Sequence, residues 1–173
     1  PHDSDVDKPW FPDGHSQGMP AEAEDEIVID EHVREALSLS LQDVVTIGVG
    51  EGSMNFTIVG FAYHPLHIYM APEGSLFPPE SGEFVVGYLS SSGMERLAGL
   101  PQGSANTIVL DISGTPSFDL SDTESYEGEE LDGVKEAIAS SMDENGMDGR
   151  IRDRGQVESV ELMRLDLEGS KTL

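Results

Sequence analysis

The 173 residues carry 34 acidic and nine basic side chains, a formal net charge of −25, with 37% hydrophobic residues, 19 glycines and no cysteine. A chain of this length can bury one sizeable core or two small ones, and its apolar content is that of a globular domain, so the charge does not mark disorder. Lack of cysteine excludes a disulfide framework, a thiolate nucleophile and a Cys-ligated metal. The stretch from Glu35 to Glu95 holds no lysine or arginine, which argues against nucleic acid as a partner.

Residues 1–20 are rich in Pro, Asp, Gly and His and predict an irregular N-terminal arm anchored by Trp10 and Phe11. A strand follows at 26–29, and Asp30 is placed to cap a helix with Val33 and Leu37 on one face. Alternation at Val45, Ile47 and Val49, and again at Phe56 and Ile58, predicts two half-buried antiparallel strands between 44 and 62. The glycines between them, GVGEGS at 48–53, suit a hairpin turn; a phosphate loop would need a terminal Gly-Lys-Ser/Thr and a following helix. Four prolines between 63 and 83 forbid a long helix there.

A strand is expected at 84–89 and a short helix at 92–98, with Ser90 or Ser91 as cap and Gly99 as stop. Residues 106–112 predict another strand, 113–129 an acidic loop. Leu131, Val134, Ile138 and Met142 then fall at helical spacing, with Gly146 ending that helix. With a second strand at 149–153 this makes a β-α-β unit, parallel if the crossover is right-handed. A last helix is expected at 156–168, with Val157, Val160, Met163 or Arg164, and Leu167 along one side.

An acidic excess of this size over a normal core points to a halophilic source. At molar salt the Debye length is about 3 Å, which screens the carboxylate repulsion that would strain such a fold in dilute buffer. Arg150, Arg152 and Arg154 are the one basic cluster, interrupted by Asp153, and are expected to pair locally with carboxylates. No apolar run approaches the ~20 residues that span a bilayer, and the opening residues lack a signal-peptide pattern, so the chain is expected to be a soluble fragment of a larger protein.

Few residues suggest chemistry. His64 and His67 invite a metal, but Pro65 breaks helical geometry between them and no Cys or HExxH companion exists. The segment DENGMDG at 143–149 departs from the calcium-loop spacing, and 119–130 puts Glu124 where glycine is needed. SSSGM at 90–94 fits a helix cap; a nucleophile elbow needs G-x-S-x-G. We expect neither catalytic residues nor a cofactor nor a metal. The loop from Tyr63 to Pro79 is apolar and almost uncharged, and its Tyr63, His64, His67, Tyr69 and Phe77 are candidates for partner contact, unless they complete the core.

The run EIVIDEHVREALSLSLQDVVTI, then FTIVGFA, resembles the extracytoplasmic, MacB-like periplasmic core domain of FtsX-like ABC transporter permeases, whose pattern is E-(I/V)-V-(I/L)-D-E-x-x-A-x-x-L-x-L-x-x-G-D-x-V-x-(I/L) followed by F-x-(I/V)-V-G. The likeness continues through NTIVLDISG and GQVESVELMRLDLEG, covering most of the chain from about residue 20. Arg34 stands where a small residue is usual. Gln42 replaces the glycine before Asp43, which weakens an expected left-handed turn because a Cβ disfavours positive φ.

The resemblance implies an α+β fold: a mostly antiparallel β lobe with short helices at 21–100, inserted beside a smaller β-α-β, half ferredoxin-like lobe at 101–173 that ends in a membrane-proximal helix. It implies a non-catalytic role at the extracytoplasmic face of the membrane, coupling movement of the parent's transmembrane helices to a substrate or protein partner outside. A separate cytoplasmic ATPase subunit would hydrolyse ATP. It implies further that part of one lobe and apolar spans lie outside the chain, with Lys171 as an interfacial residue. The competing readings are a stand-alone extracellular ligand-binding or adaptor module and a secreted carboxylate-based hydrolase.

Overall fold

The structure is a computed structural model and describes residues 8–12, 18–50, 52–64, 67, 72, 79–110, 112, 129–157, 160, 163–165 and 167. The chain is α+β and divides into two compact units, Pro1–Val109 and Leu110–Leu173. The first holds a mixed four-stranded sheet built from β1 (Glu26–Asp30), β2 (Val44–Val49), β3 (Gly52–Ala62) and β4 (Gly87–Leu89), in the order β2-β3-β1-β4. Two of its three ladders, β2–β3 and β1–β4, are antiparallel, and β1 runs parallel to β3.

The β2–β3 hairpin follows the alternation read from the sequence. Val45 faces Phe56 and Ile47 faces Met54, and the turn carries Gly50 at φ 61°. The register of β1 on β3 slips by one residue between Ile27 and Val28, leaving Val59 as an extra residue on β3. Such a bulge reverses the side-chain alternation. Phe61 therefore shares a face with Phe56 and Ile58 despite its odd spacing from them. These three pack with Ile27, Ile29 and Val33 into the main core, all six side chains at most 4% exposed, while Val28, Val59 and Ala62 form a smaller cluster with Phe11, Ala21 and Tyr88.

Asp30 caps as expected, but the element it opens is a 3-10 turn, Glu31–Val33, and not the amphipathic helix expected there. Val33 is buried, whereas Leu37 is 42% exposed. The next turn is irregular, with Leu37 N–H bonding Val33 O and Leu39 N–H bonding Arg34 O, and Ser38 sits at φ 53°. So short a segment gains little from helix propagation, and the chain leaves it to bring Leu39 and Leu41 against the core. Gln42 adopts the left-handed conformation, φ 71°, in spite of its Cβ. Its N–H bonds Ile58 O while Ile58 N–H bonds Asp43 O, so two residues of one strand face one of the other.

The strand expected at 84–89 is confined to Gly87–Leu89, which pairs with Ile27 to Ile29, and one further backbone bond, from Asp30 N–H to Val86 O, follows at its start. The helix α1 (Ser91–Ala98) is capped by the Ser90 hydroxyl, which accepts from Gly93 N–H, and stops at Gly99 in the left-handed region. It docks on the turn before β1: Ser90 Oγ donates to Ala23 O, and Arg96 pairs with Glu24 at 2.8 Å.

The arm reaches the sheet where β2 has ended. Trp10 exchanges two backbone hydrogen bonds with Tyr63, and Gly18 bridges Gly60. A Cβ on Gly18 would lie 1.9 Å from Val59 O, so only glycine permits that approach. The indole of Trp10 remains 58% exposed, and the arm is held by its backbone more than by burial of that ring.

In the second unit α2 (Glu129–Glu144) shows the expected stripe, with Leu131, Val134, Ile138 and Met142 half-buried, and Gly146 follows at φ 64°. The flanking strands expected at 106–112 and 149–153 are not formed among the described residues. Residues 106–110 and 149–153 belong to no strand there, and Ile108, Val109 and Leu110 are 68%, 50% and 57% exposed. A strand needs a neighbour for its backbone groups, however strong its side-chain preference. In place of the second strand, Asp153 caps a 3-10 turn, Arg154–Gln156, in a reciprocal capping box with Gln156, and binds Lys135 of α2 at 2.6 Å. Val157 is extended (φ −76°, ψ 126°), so the last helix does not begin at 156; residues 160, 163–165 and 167 are helical, with Val160 buried.

Candidate functional site

Three of the five candidate contact residues fall among the described ones. Tyr63 and His64 continue from the end of β3 and His67 follows one turn later, its N–H bonding His64 O at 3.0 Å. Tyr69 and Phe77, like most of their loop, lie outside the described residues.

The structure joins these residues to four that the sequence did not single out as site residues. Tyr63 stacks on Trp10 at 5.8 Å and takes the ring of His32 edge-on at 4.8 Å. His64, 7% exposed, stacks on Tyr88 at 5.4 Å, and His67 lies 5.4 Å from His64. Asp30 links the two groups. One carboxylate oxygen accepts from the backbone N–H of His32 at 3.0 Å and contacts its Nδ1 at 2.7 Å; the other accepts the Tyr88 hydroxyl at 3.3 Å.

Asp30 is fully buried, whereas the His32 side chain is 44% exposed. Burying a carboxylate is costly unless its lone pairs are used, and here three donors use them. With Nδ1 2.7 Å from a carboxylate oxygen, the arrangement orients the His32 ring. Beside it opens a shallow cavity of about 680 Å³ lined by Glu31, His32, Arg34, Glu35, Ser38 and Tyr63. The Arg34 guanidinium lies 4.5 Å above the Phe61 ring and 3.5 Å from Glu31 Oε1, while Glu31 Oε2 is buried with no hydrogen-bond partner among the described residues. The cavity lining is therefore mainly polar and charged, with Tyr63 contributing an aromatic ring.

Glu26, at the start of β1, is the one group among the described residues with a clearly displaced pKa. Its carboxylate accepts the N–H groups of Ala23 and Glu22, each at 2.9 Å, which holds it below the ordinary value of 4.5. It organises the turn on which α1 docks and lies away from the cavity lining. Among the described residues no three His, Cys, Asp or Glu side chains are placed to hold a metal ion, and no helix is long and apolar enough to cross a membrane.

Comparison with protein-family models, with curated proteins and with solved structures returned no match.

Proposed function

We propose that this chain is the extracytoplasmic domain of an ABC transporter permease of the FtsX/MacB type, a non-catalytic module that couples movement of the parent's transmembrane helices to a substrate or protein partner outside the cell. What carries the reading is the run from Glu26 to Ala62, in which the pattern residues of that family recur in order. The local structure of that run supports it. The position where the family keeps glycine is occupied by Gln42, and Gln42 adopts the left-handed turn that the pattern calls for, φ 71°. The finer arrangement, a β lobe inserted beside a half ferredoxin-like lobe, belongs to the same proposal.

In this reading Tyr63 and His67, with Trp10 and His32 beside them, form the surface offered to a partner, and the buried His64 packs behind them on Tyr88, because aromatic side chains supply contact area at low entropic cost. The test is the reading frame that encodes the chain. It should carry apolar segments of about 20 residues on both sides, the length that spans a bilayer. A frame with no such segment on either side would overturn the proposal. The second reading, a stand-alone ligand-binding module, is favoured by the cavity beside His32 and by the buried Glu31 oxygen that has no hydrogen-bond partner among the described residues. It would take the first reading's place in that case.

A further inference from the structure

The outer edge of β2 is the feature that the fold leaves unexplained. β2 lies at one end of the sheet, and among the described residues no strand pairs with its outer side. Thr57 N–H bonds Asp25 O on the β1 side of β3 and Ile58 N–H bonds Asp43 O on the β2 side. Even-numbered residues of β3 therefore bond toward β2. Through the register this turns the backbone groups of Val45, Ile47 and Val49 inward and those of Val44, Thr46 and Gly48 outward.

Proteins guard such an edge with charge, proline or a bulge in mid-strand. This one does none of these along Val44–Val49: VVTIGV holds no charge and no proline, in a chain where 25% of residues are charged. Its apolar side chains are also unfinished. Val45 and Ile47 pack against the main core yet stay half-buried, and Val44 and Val49 are 62% and 47% exposed.

We propose that β2 pairs antiparallel with β2 of a second copy of this chain, about a two-fold axis through Thr46, to make one sheet continuous across both copies. A two-fold pairing brings like faces of the sheet together, which suits a second copy, and charge rules out the register centred on Ile47. Two acidic chains can approach only where carboxylates are absent, and the bare edge of β2 is such a place. Centred on Thr46, the pairing sets Val44 against Gly48 of the second copy, Val45 against Ile47, and Asp43 against Val49, so no two carboxylates are opposed. Centring it on Ile47 would, by residue count, set Asp43 level with Glu51. Like charges directly opposite are destabilising. The Val45–Ile47 pairs carry the main core across the axis on its own face, which completes the burial that each copy leaves half done. The inference stands apart from the transporter reading, since it rests only on β2.

One edge of this length buries less than a typical stable interface, so the dimer is weak and needs high protein concentration. It strengthens with salt, which screens the repulsion between the copies. The chain has no cysteine, and this makes a clean test. Across a hydrogen-bonded antiparallel pair the Cα atoms are about 5.5 Å apart, within disulfide range. Under mild oxidation in molar KCl, Thr46→Cys should cross-link into a species of doubled mass at least about tenfold faster than Ser92→Cys on exposed α1, by the high local concentration that pairing creates. Sedimentation of the wild type at high concentration should show a doubled mass. Thr46→Pro removes an outward N–H and the exposed hydroxyl's bond to Asn55 Oδ1 but no backbone bond of the sheet, and should be monomeric with an unchanged circular dichroism spectrum; Thr46→Lys, which keeps every backbone bond and opposes two ammonium groups on the axis, should be monomeric too. A wild type that stays monomeric, or Thr46→Cys no faster than Ser92→Cys, overturns the proposal, and so does faster cross-linking of Ile47→Cys than of Thr46→Cys. A strand from a different protein as the true occupant would give the monomeric result.

Discussion

Replacing Asp30 tests the link between the fold and the candidate site. In Asp30→Ala the 3-10 turn loses its cap, worth about 1 kcal/mol. The Tyr88 hydroxyl, which donates to Asp30 at 3.3 Å, loses its acceptor, worth roughly 1 kcal/mol more, and the His32 ring is half exposed and can turn to water. The total is about 2 kcal/mol. Asp30→Asn keeps an oxygen for the His32 backbone N–H, and Tyr88 can accept from the new amide, so its cost should stay below about 1 kcal/mol. Urea unfolding in molar KCl, read by linear extrapolation, separates the two. Asp30→Ala within about 0.5 kcal/mol of the wild type would refute the claim that this carboxylate joins the turn to β4, and so would equal losses in both variants.

Salt should matter to the whole fold: with a net charge of −25, the melting temperature should climb substantially between dilute buffer and molar KCl, and a flat response would remove the halophile argument. Glu26 gives a pH dependence of known sign. Its folded pKa is lowered, so its contribution to stability is present above about 4.5 and is lost as pH falls through the lowered value; the stability gap between wild type and Glu26→Gln should be open at pH 7 and close on acidification through that window. Gly18→Ala puts a Cβ into Val59 O and should expel the arm without unfolding the sheet. Hydrogen exchange would then speed up at Met19, whose N–H bonds Val59 O, and not at Ile58.

Local signals were legible in the sequence and distant pairings were not. The Ser90 cap and Gly99 stop define α1 within ten residues, and the period-2 alternation of Val45 to Ile58 sufficed for the hairpin. The parallel β1–β3 ladder, its bulge at Val59 and the Gly18 bridge join segments far apart in the chain, and no local pattern announces them. Residues 106–110 have the β-branched composition of a strand, yet composition cannot supply the partner that makes one. At the site, Tyr63, His64 and His67 stood out because their loop lacks charge. The Asp30–Tyr88 contact spans 58 positions, and Asp30 was visible only as a cap. The Asp30-x-His32 spacing, a carboxylate two residues before an imidazole, was the one signal that could have drawn His32 into the candidate set.

The proposed place of this domain, outside the membrane of a transporter permease, is tested most directly by site-directed labelling. Met94, 48% exposed on α1, can be replaced by cysteine in the full-length parent, since this domain contributes no other thiol. In intact cells expressing that parent, a membrane-impermeant maleimide should label Met94→Cys as fully as a permeant one, and a membrane fraction should retain the labelled protein. Protection from the impermeant reagent until the cells are lysed, or a labelled protein that leaves the membrane in a simple salt wash, would contradict the account.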